Sequence, residues 1–300
     1  MIRRSWKNRH RSSAPPQRSL PRGRRKAAAG EVTTDMGSQE TKEKGPSSFD
    51  VLPEDVLLEI LTLVPATDLI LRCRLVCSRW KDIIDSSTLW RVICQRAGYI
   101  AQDCRKQPKD WKVFYYLSSR KRNLLQNPCA LEKFNHWTIQ ENGGDLWKVE
   151  DLPSSMGENF PDETITKYFV TSYRLCIKSQ LLDLQKMGYK AKFMDTIQPE
   201  IVIKDWYAAR RDCGCQYKLL VQLLSIKKTT LQKFAPEPVF IEQWSDARWH
   251  QVTYRFRNYG KGVRYVYFEH GGMDTQFWAG WYGIRVTNSS ITIEPEDLTV

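Results

Sequence analysis

Long apolar runs are missing from this sequence: nowhere in its 300 residues do about 18 apolar residues follow one another, and the N-terminus has no apolar segment of the secretory kind. Membrane insertion and secretion are therefore not expected, and a cytoplasmic protein is. Histidine is scarce, with four in all, and no Gly-x-Ser-x-Gly, phosphate-binding glycine loop or metal signature occurs. The eight cysteines (73, 77, 94, 104, 129, 176, 213 and 215) form only one C-x3-C and one C-x-C pair. A zinc site needs paired halves with a second cluster at matched distance, so reduced, mostly buried thiols are expected. No catalytic residue, metal or cofactor is expected.

Acid is absent from the first thirty residues, which hold ten of the 46 basic ones, so 36 bases face all 34 acids in the remainder. The net charge of +12 is thus a property of the tail, and the nearly neutral body argues against nucleic acid as a partner. Pro15, Pro16 and Pro21 break any amphipathic presequence helix, and Arg22–Lys26 offers a nuclear-import patch. Residues 1–47 carry almost no large apolar side chains and cannot offset their ordering entropy, so they read as a disordered basic tail.

Residues 48–95 change character. Pro53-Glu54-Asp55 is a helix start with acids at the positive end of the dipole, and Leu57, Ile60, Leu61 and Val64 follow at helical spacing. Thr67 or Asp68 can cap a second helix, with Leu69, Cys73, Val76, Cys77, Trp80, Ile83 and Ile84 along its face, and Thr88-Leu89-Trp90 opens another. Periodicity leaves open whether the chain breaks near Arg72–Arg74. A stretch of about 45 residues encloses too little core to stand alone. It packs either on the rest of the chain or on another polypeptide.

Residues 96–126 read as a helical linker around Trp111–Leu117, with aromatics between two modules, closed by Asn127-Pro128. From 127 to 297 short β-branched and aromatic runs alternate with turn signals. Examples are His136–Ile139, Trp147–Glu150, Tyr168–Thr171, Ile201–Tyr207, Tyr217–Leu224, Val239–Trp244, Gln251–Arg257, Val263–Glu269 and Ser290–Glu294. Turn signals include Asn142-Gly143-Gly144-Asp145 and Gly271-Gly272, and His270 reads as a hydrogen-bonded turn residue at a strand end. The fold class is α+β and multidomain: a short helical module, a helical linker, then an all-β antiparallel, jelly-roll-like sandwich of about ten strands.

Phe277 and Trp278 can form an aromatic platform for the apolar C–H face of a sugar if Ala279-Gly280 make this stretch a loop. Trp281 and Tyr282 fit the sandwich core better. A charged hairpin loop, Ala209–Gly214, supplies Arg210 and Arg211 as donors and Asp212 as acceptor. Asn288-Ser289-Ser290 is a glycosylation sequon that more naturally starts the last strand.

Leu52-Pro53-Glu54-Asp55-Val56-Leu57-Leu58-Glu59-Ile60-Leu61, Cys73-Arg74-Leu75-Val76-Cys77-Ser78-Arg79-Trp80 and Leu89-Trp90 resemble an F-box. The resemblance implies docking on a Skp adaptor carried by a cullin scaffold, with Leu52, Pro53, Leu57, Ile60, Leu61, Val76 and Trp80 at the adaptor interface or in the small core behind it. Lys204–Tyr207, Asp212–Cys215, Phe268–Gly272, Trp278-x-Gly280-Trp281 and Arg285–Ser290 resemble the F-box-associated domain of the sugar-recognising F-box proteins. That likeness implies a non-catalytic receptor of a ubiquitin ligase, gripping the inner chitobiose of high-mannose N-glycans on misfolded glycoproteins through Arg210, Arg211, Asp212, Phe277 and Trp278. Asn159 lies near a third contact segment of that family. The implied setting is ER-associated degradation within the unfolded protein response, near the cytosolic face of the ER. Phe277 stands where the strongest glycan binders have Tyr, Ala279 where one has Lys, and Arg211 where a small residue is usual. The alternative is an F-box receptor whose sandwich reads a protein surface without glycan.

Overall fold

A computed structural model describes residues 51–100, 107–154 and 157–296. The basic tail assigned to 1–47 lies outside the described residues, as does Cys104. Four helices and a 3-10 turn come first: α1 (Glu54–Thr62), α2 (Ala66–Leu71), the turn Cys73–Leu75, α3 (Ser78–Asp85) and α4 (Ser87–Arg96). Prolines 53 and 65 precede α1 and α2, so neither Thr67 nor Asp68 serves as a cap, and Arg72 breaks the chain at φ −127° before the 3-10 turn. The Ser86 hydroxyl caps α4 by accepting from the Leu89 amide at 3.4 Å.

The linker helix α5 (Trp111–Ser119) starts at Asp110, whose carboxyl oxygen accepts from the amides of Lys112 and Val113 at 2.9 and 3.0 Å. Trp111 and Phe114 from α5 complete a small core with Leu57, Leu61, Leu69, Ile84 and Trp90. One turn on, Leu117 belongs to the sandwich core. The helix therefore shares its apolar side chains between the two modules.

The sandwich contains eleven strands among the described residues: β1 (Thr138–Asn142), β2 (Lys148–Asp151), β3 (Lys167–Val170), β4 (Cys176–Asp183), β5 (Glu200–Ala208), β6 (Cys215–Leu224), β7 (Thr230–Phe234), β8 (Val239–Ile241), β9 (His250–Phe256), β10 (Tyr265–Asp274) and β11 (Arg285–Glu294). One sheet runs β1-β4-β10-β6-β7 with β8 also on β6; the other runs β2-β3-β11-β5-β9. A short helix, α6 (Ala191–Ile197), joins β4 to β5. Every pairing is antiparallel.

Four sequence expectations change here. β4 and β7 were not anticipated; the middle of β4 reads Lys178-Ser179-Gln180, and the structure buries all three. β10 does not stop before Gly271-Gly272 but runs through them to Asp274, so His270 is mid-strand. A Cβ on Gly271 would stand 2.0 Å from the Cys176 carbonyl oxygen, and one on Gly272 1.8 Å from that of Gln216, so these glycines let neighbouring strands close in. Gly272→Ala is accordingly expected to cost about 1–3 kcal/mol or more, read as a lowered urea midpoint. The sequon lies inside β11 rather than at its start, at an irregularity between Thr287 and Ser290 with Asn288 at φ 50°. Finally, the 209–214 loop is no hairpin, since β5 and β6 belong to different sheets.

The short pairing of β3 on β11 explains how the linker is held. β3 pairs only with Arg285 and Val286, leaving the rest of that edge uncovered. Asn123 donates to the Ser289 carbonyl at 2.8 Å and accepts from the Ile291 amide at 3.1 Å, and the Leu124 amide donates to the Ile291 carbonyl at 2.8 Å. Backbone groups that a missing strand would leave open are thus satisfied by the linker.

The two sheets are also bridged by a buried polar chain. His270 Nδ1 lies 2.6 Å from Asp205 Oδ2, and Lys178 Nζ lies 2.5 Å from His270 Nε2. Tyr217 and Ser289 donate their hydroxyls to the Asp205 carboxyl at 2.5 and 2.7 Å. Lys178 is the donor and Asp205 the acceptor, so the imidazole carries its proton on Nδ1. The Lys178 ammonium position is 3.2 Å from the Trp137 ring centroid and 3.9 Å from that of Phe169. Burial holds the His270 ring down at about 4 and Lys178 well below its ordinary range.

Candidate functional site

The segment after β10 is built on Asp274. Its buried carboxyl oxygen accepts from the amides of Gln276 at 3.0 Å and Phe277 at 2.6 Å, turning the chain sharply with Phe277 at φ 58°. Burial raises the Asp274 carboxyl above its ordinary range while these amides pull the other way. Because the stretch is a loop and not a strand, both aromatics reach solvent: Phe277 is 69% exposed and Trp278 39%. Asp145 fixes the far side of the loop, accepting from the Gly280 amide at 2.6 Å and, through its carbonyl, from Trp281 Nε1 at 3.2 Å.

Trp281 and Tyr282 are half-buried, Trp281 packing against a small core that includes Phe160, Tyr168 and Trp249. Tyr282 stands edge-on to Trp278, with ring centroids 5.5 Å apart at 89°, and the Arg210 guanidinium covers it at 4.5 Å. Trp281 in turn lies under Lys148 at 4.1 Å. Arg210 is fixed by a bidentate pair with Asp212, both bonds 3.0 Å, which holds the Asp212 carboxyl below its ordinary range.

Hydrogen bonds between loops gather the nominated residues at one end of the sandwich. The Thr275 amide donates to the Gly214 carbonyl at 2.9 Å, joining the 275–284 and 209–214 loops. Arg211 reaches Glu158 at 3.0 Å, tying in the segment that bears the exposed Asn159. Gln243 donates to the Asp212 carbonyl at 3.0 Å, and the Trp244 amide to the Arg211 carbonyl at 2.9 Å. Beneath them Arg285 is fully buried, donating to the carbonyls of Ala209 and Ala247 and lying 5.2 Å from the Trp249 ring centroid.

Sequence reasoning placed Trp244 at the end of a strand, Tyr282 in the core and Arg285 in a segment of family likeness, and gave none of them a place at this site. The Trp244-Ser245-Asp246 turn chemistry was the available signal for the first, since Trp244 falls outside β8 with φ 65°. For Arg285 the family likeness of Arg285–Ser290 was the signal, and its burial was not readable from it.

The second group of nominated residues lies on the helices. Leu57 and Leu61 are buried in the small core, Leu52 and Trp80 are half-buried, and Pro53, Ile60 and Val76 are exposed. Val56, Leu63, Leu71 and Leu75 are exposed as well. Isolated exposed apolar residues are ordinary, but this many within one short helical module are not.

Among the described residues no three His, Cys, Asp or Glu side chains stand where they could hold a metal ion, and no helix is long and apolar enough to cross a membrane. The described cysteines are all free.

The F-box-like family matches residues 49–96 and the F-box associated region matches residues 115–293. The chain belongs to the F-box-associated family of F-box only proteins, whose members are non-catalytic substrate receptors. It is 56% identical over 249 residues to human F-box only protein 6, covering 83% of this chain and 85% of that one. To human F-box only protein 44 it is 56% identical over 248 residues, 83% of this chain and 97% of the other. F-box only protein 2 from Bos taurus is 46% identical over 266 residues, 86% and 90% of the two chains. Likeness to solved structures is loose: a complex of TmCBM61 with beta-1,4-galactotriose gives a TM-score of 0.37 at 16% identity over 58% of this chain and 99% of that one.

Proposed function

We propose that this receptor serves a Skp–cullin–F-box ubiquitin ligase and binds the inner chitobiose of high-mannose N-glycans on misfolded glycoproteins, in the cytoplasm near the ER. In this reading residues 48–95 dock the adaptor, 96–126 link, 127–297 hold the glycan, and 1–47 form a basic tail. The observation that carries it is the solvent-facing Phe277–Trp278 pair, held in a turn by Asp274 beside the Arg210–Asp212 pair. An exposed aromatic face next to fixed donors and acceptors suits the apolar face and hydroxyl rim of a sugar. Asn159 adds a further amide on the adjoining segment. The client's role in ER-associated degradation follows from the same family resemblance.

For the helical half, the exposed Ile60, Leu75 and Val76 support docking on the Skp adaptor, with Leu52, Pro53 and Trp80 around them and Leu57 and Leu61 as the core behind. Val76→Asp is expected to abolish co-purification with the adaptor while leaving the thermal midpoint within a few degrees of wild type, because a surface residue away from special features contributes within about ±0.5 kcal/mol. Retained co-purification would contradict this placement.

A protein-surface reading stays in view for one reason: Arg210 and Asp212 bind each other and Arg211 binds Glu158, so the polar groups nominated for a sugar already have partners. The deciding experiment is capture of a denatured high-mannose glycoprotein by the full chain, before and after enzymatic removal of its glycans. Loss of capture supports the glycan reading, and undiminished capture supports the protein surface.

A further inference from the structure

The nearly neutral body is not evenly charged. The chain from the end of β4 through α6 carries Lys186, Lys190 and Lys192, the turn from β6 to β7 carries Lys227 and Lys228, and Lys261 precedes β10. All six are exposed. Hydrogen bonds bring these segments to one end of the sandwich. The Arg264 amide donates to the Leu224 carbonyl at 2.8 Å, the Leu184 amide to the Arg264 carbonyl at 3.1 Å, and the Gly262 amide to Asp195 on α6 at 2.8 Å. The linker joins them, because the Arg122 guanidinium donates to the Met187 carbonyl at 2.7 Å. Asp183 and Asp195 are the acids of these segments, and both are engaged. Asp195 takes the Arg264 guanidinium bidentately at 2.9 and 2.6 Å, and Asp183 accepts from the Lys186 amide at 3.1 Å. The fold thus gathers a strongly positive surface that the total charge conceals.

The apex of this surface is apolar. The Ser225 amide donates to the Thr229 carbonyl at 2.9 Å, and the Ser225 hydroxyl accepts from the amides of Lys227 and Thr229, both at 3.2 Å, which stiffens the turn. Ile226 stands on that turn 66% exposed, and Leu231 on the adjoining strand β7 is 40% exposed. A cavity of about 460 Å3, lined by Asp183, Gln185, Lys186, Ile226, Arg264 and Tyr265, sets the isoleucine beside Lys186. Lysines alone would serve any polyanion. An isoleucine held in water among them calls for a partner that is anionic at its surface and apolar just beneath. A bilayer with acidic headgroups has that layering and attracts basic clusters of this size.

We propose that this end of the sandwich docks on an anionic phospholipid surface, with Ile226 entering the headgroup layer and the surrounding lysines meeting phosphate. β6 runs from the 209–214 loop to this turn over ten residues, roughly 30 Å at about 3.4 Å each. Docking at one end therefore leaves the Phe277–Trp278 loop at the other end open to solvent. The inference is independent of what that loop binds.

The test is co-sedimentation of the full chain with vesicles of phosphatidylcholine alone and of phosphatidylcholine mixed with phosphatidylserine. The variants are Ile226→Gln, Lys227→Glu with Lys228→Glu, and Lys190→Glu with Lys192→Glu. Each is also made in a chain with Arg22, Arg24, Arg25 and Lys26 changed to Gln, which separates the share of the basic N-terminus. The substituted side chains of the sandwich are exposed, and thermal melts check that the variants fold. Wild type should bind the serine-lipid vesicles at least about tenfold more tightly than the neutral ones. In both backgrounds each lysine pair should lose about tenfold or more, and Ile226→Gln about threefold or more at unchanged charge. Binding that survives all the sandwich variants and falls only with the N-terminal substitutions overturns the proposal, as does a wild type that ignores the vesicles. Binding that falls with the lysine pairs but not with Ile226→Gln assigns the surface to a polyanion such as an acidic polypeptide, and also overturns it.

Discussion

Trp278→Ala should abolish capture of high-mannose glycoproteins, a loss of about 2 kcal/mol or more, roughly 30-fold in affinity. The size of the effect follows from the ring's position. Trp278 combines a solvent-open face with an edge contact to Tyr282, so it is pre-oriented and loses little freedom on binding. Its removal should leave the fold intact, because the turn is held by Asp274 and Asp145 rather than by the indole. Phe277→Ala should act in the same direction. Phe277→Tyr adds a hydroxyl at the exposed tip and should strengthen binding if a sugar hydroxyl lies within reach. Unchanged capture by Trp278→Ala would refute the aromatic platform.

The second large effect concerns stability. Asp205→Ala should cost about 3–5 kcal/mol, because it strips the acceptor from Tyr217, Ser289 and His270 at once and leaves Lys178 in the core without a carboxyl nearby. Replacement by Asn keeps part of the hydrogen bonding and should cost less. The same chain predicts acid sensitivity. His270 titrates at about 4 in the folded protein against an ordinary value of 6.5, so the unfolded chain takes up the proton first. Its contribution is therefore fully present above pH 6.5 and is lost as pH falls towards 4. Lys178, also depressed by burial, acts with the same sign, since its protonated form is the disfavoured one. Urea titrations of wild type and His270→Gln between pH 4 and 7.5 test this. The wild-type midpoint should fall on acidification and that of the variant should fall less.

The polar chain also shows where the sequence was opaque. β5 and the second half of β11 announce themselves by β-branched runs, β6 by its aromatic and aliphatic run, and the helical module by its Leu and Ile spacing. β4 does not, because Lys178, Ser179 and Gln180 read as a solvated stretch until His270, Trp137 and the linker are placed against them. Likewise Gly271-Gly272 has turn composition and strand geometry, and the reason lies in the approach of Cys176 and Gln216 from two other strands. Such features depend on partners far away in the chain, and local pattern carries no trace of them.

For the candidate site the division is similar. Phe277, Trp278, Arg210, Arg211 and Asp212 were legible as residue types, through loop signals and family resemblance, and the structure brings their loops together. Their existing bonds were not legible: Arg210 covers Tyr282 and chelates Asp212, while Arg211 leans on Glu158. Arg285, which underlies the loops from β11, belongs to a strand that looks structural throughout.

The most direct measurement is titration of chitobiose into the full chain, followed by tryptophan fluorescence. Saturable binding that changes the emission in wild type and vanishes in Trp278→Ala is the predicted result. A wild-type chain that gives no response, while still capturing its client after the glycans are removed, would contradict the account.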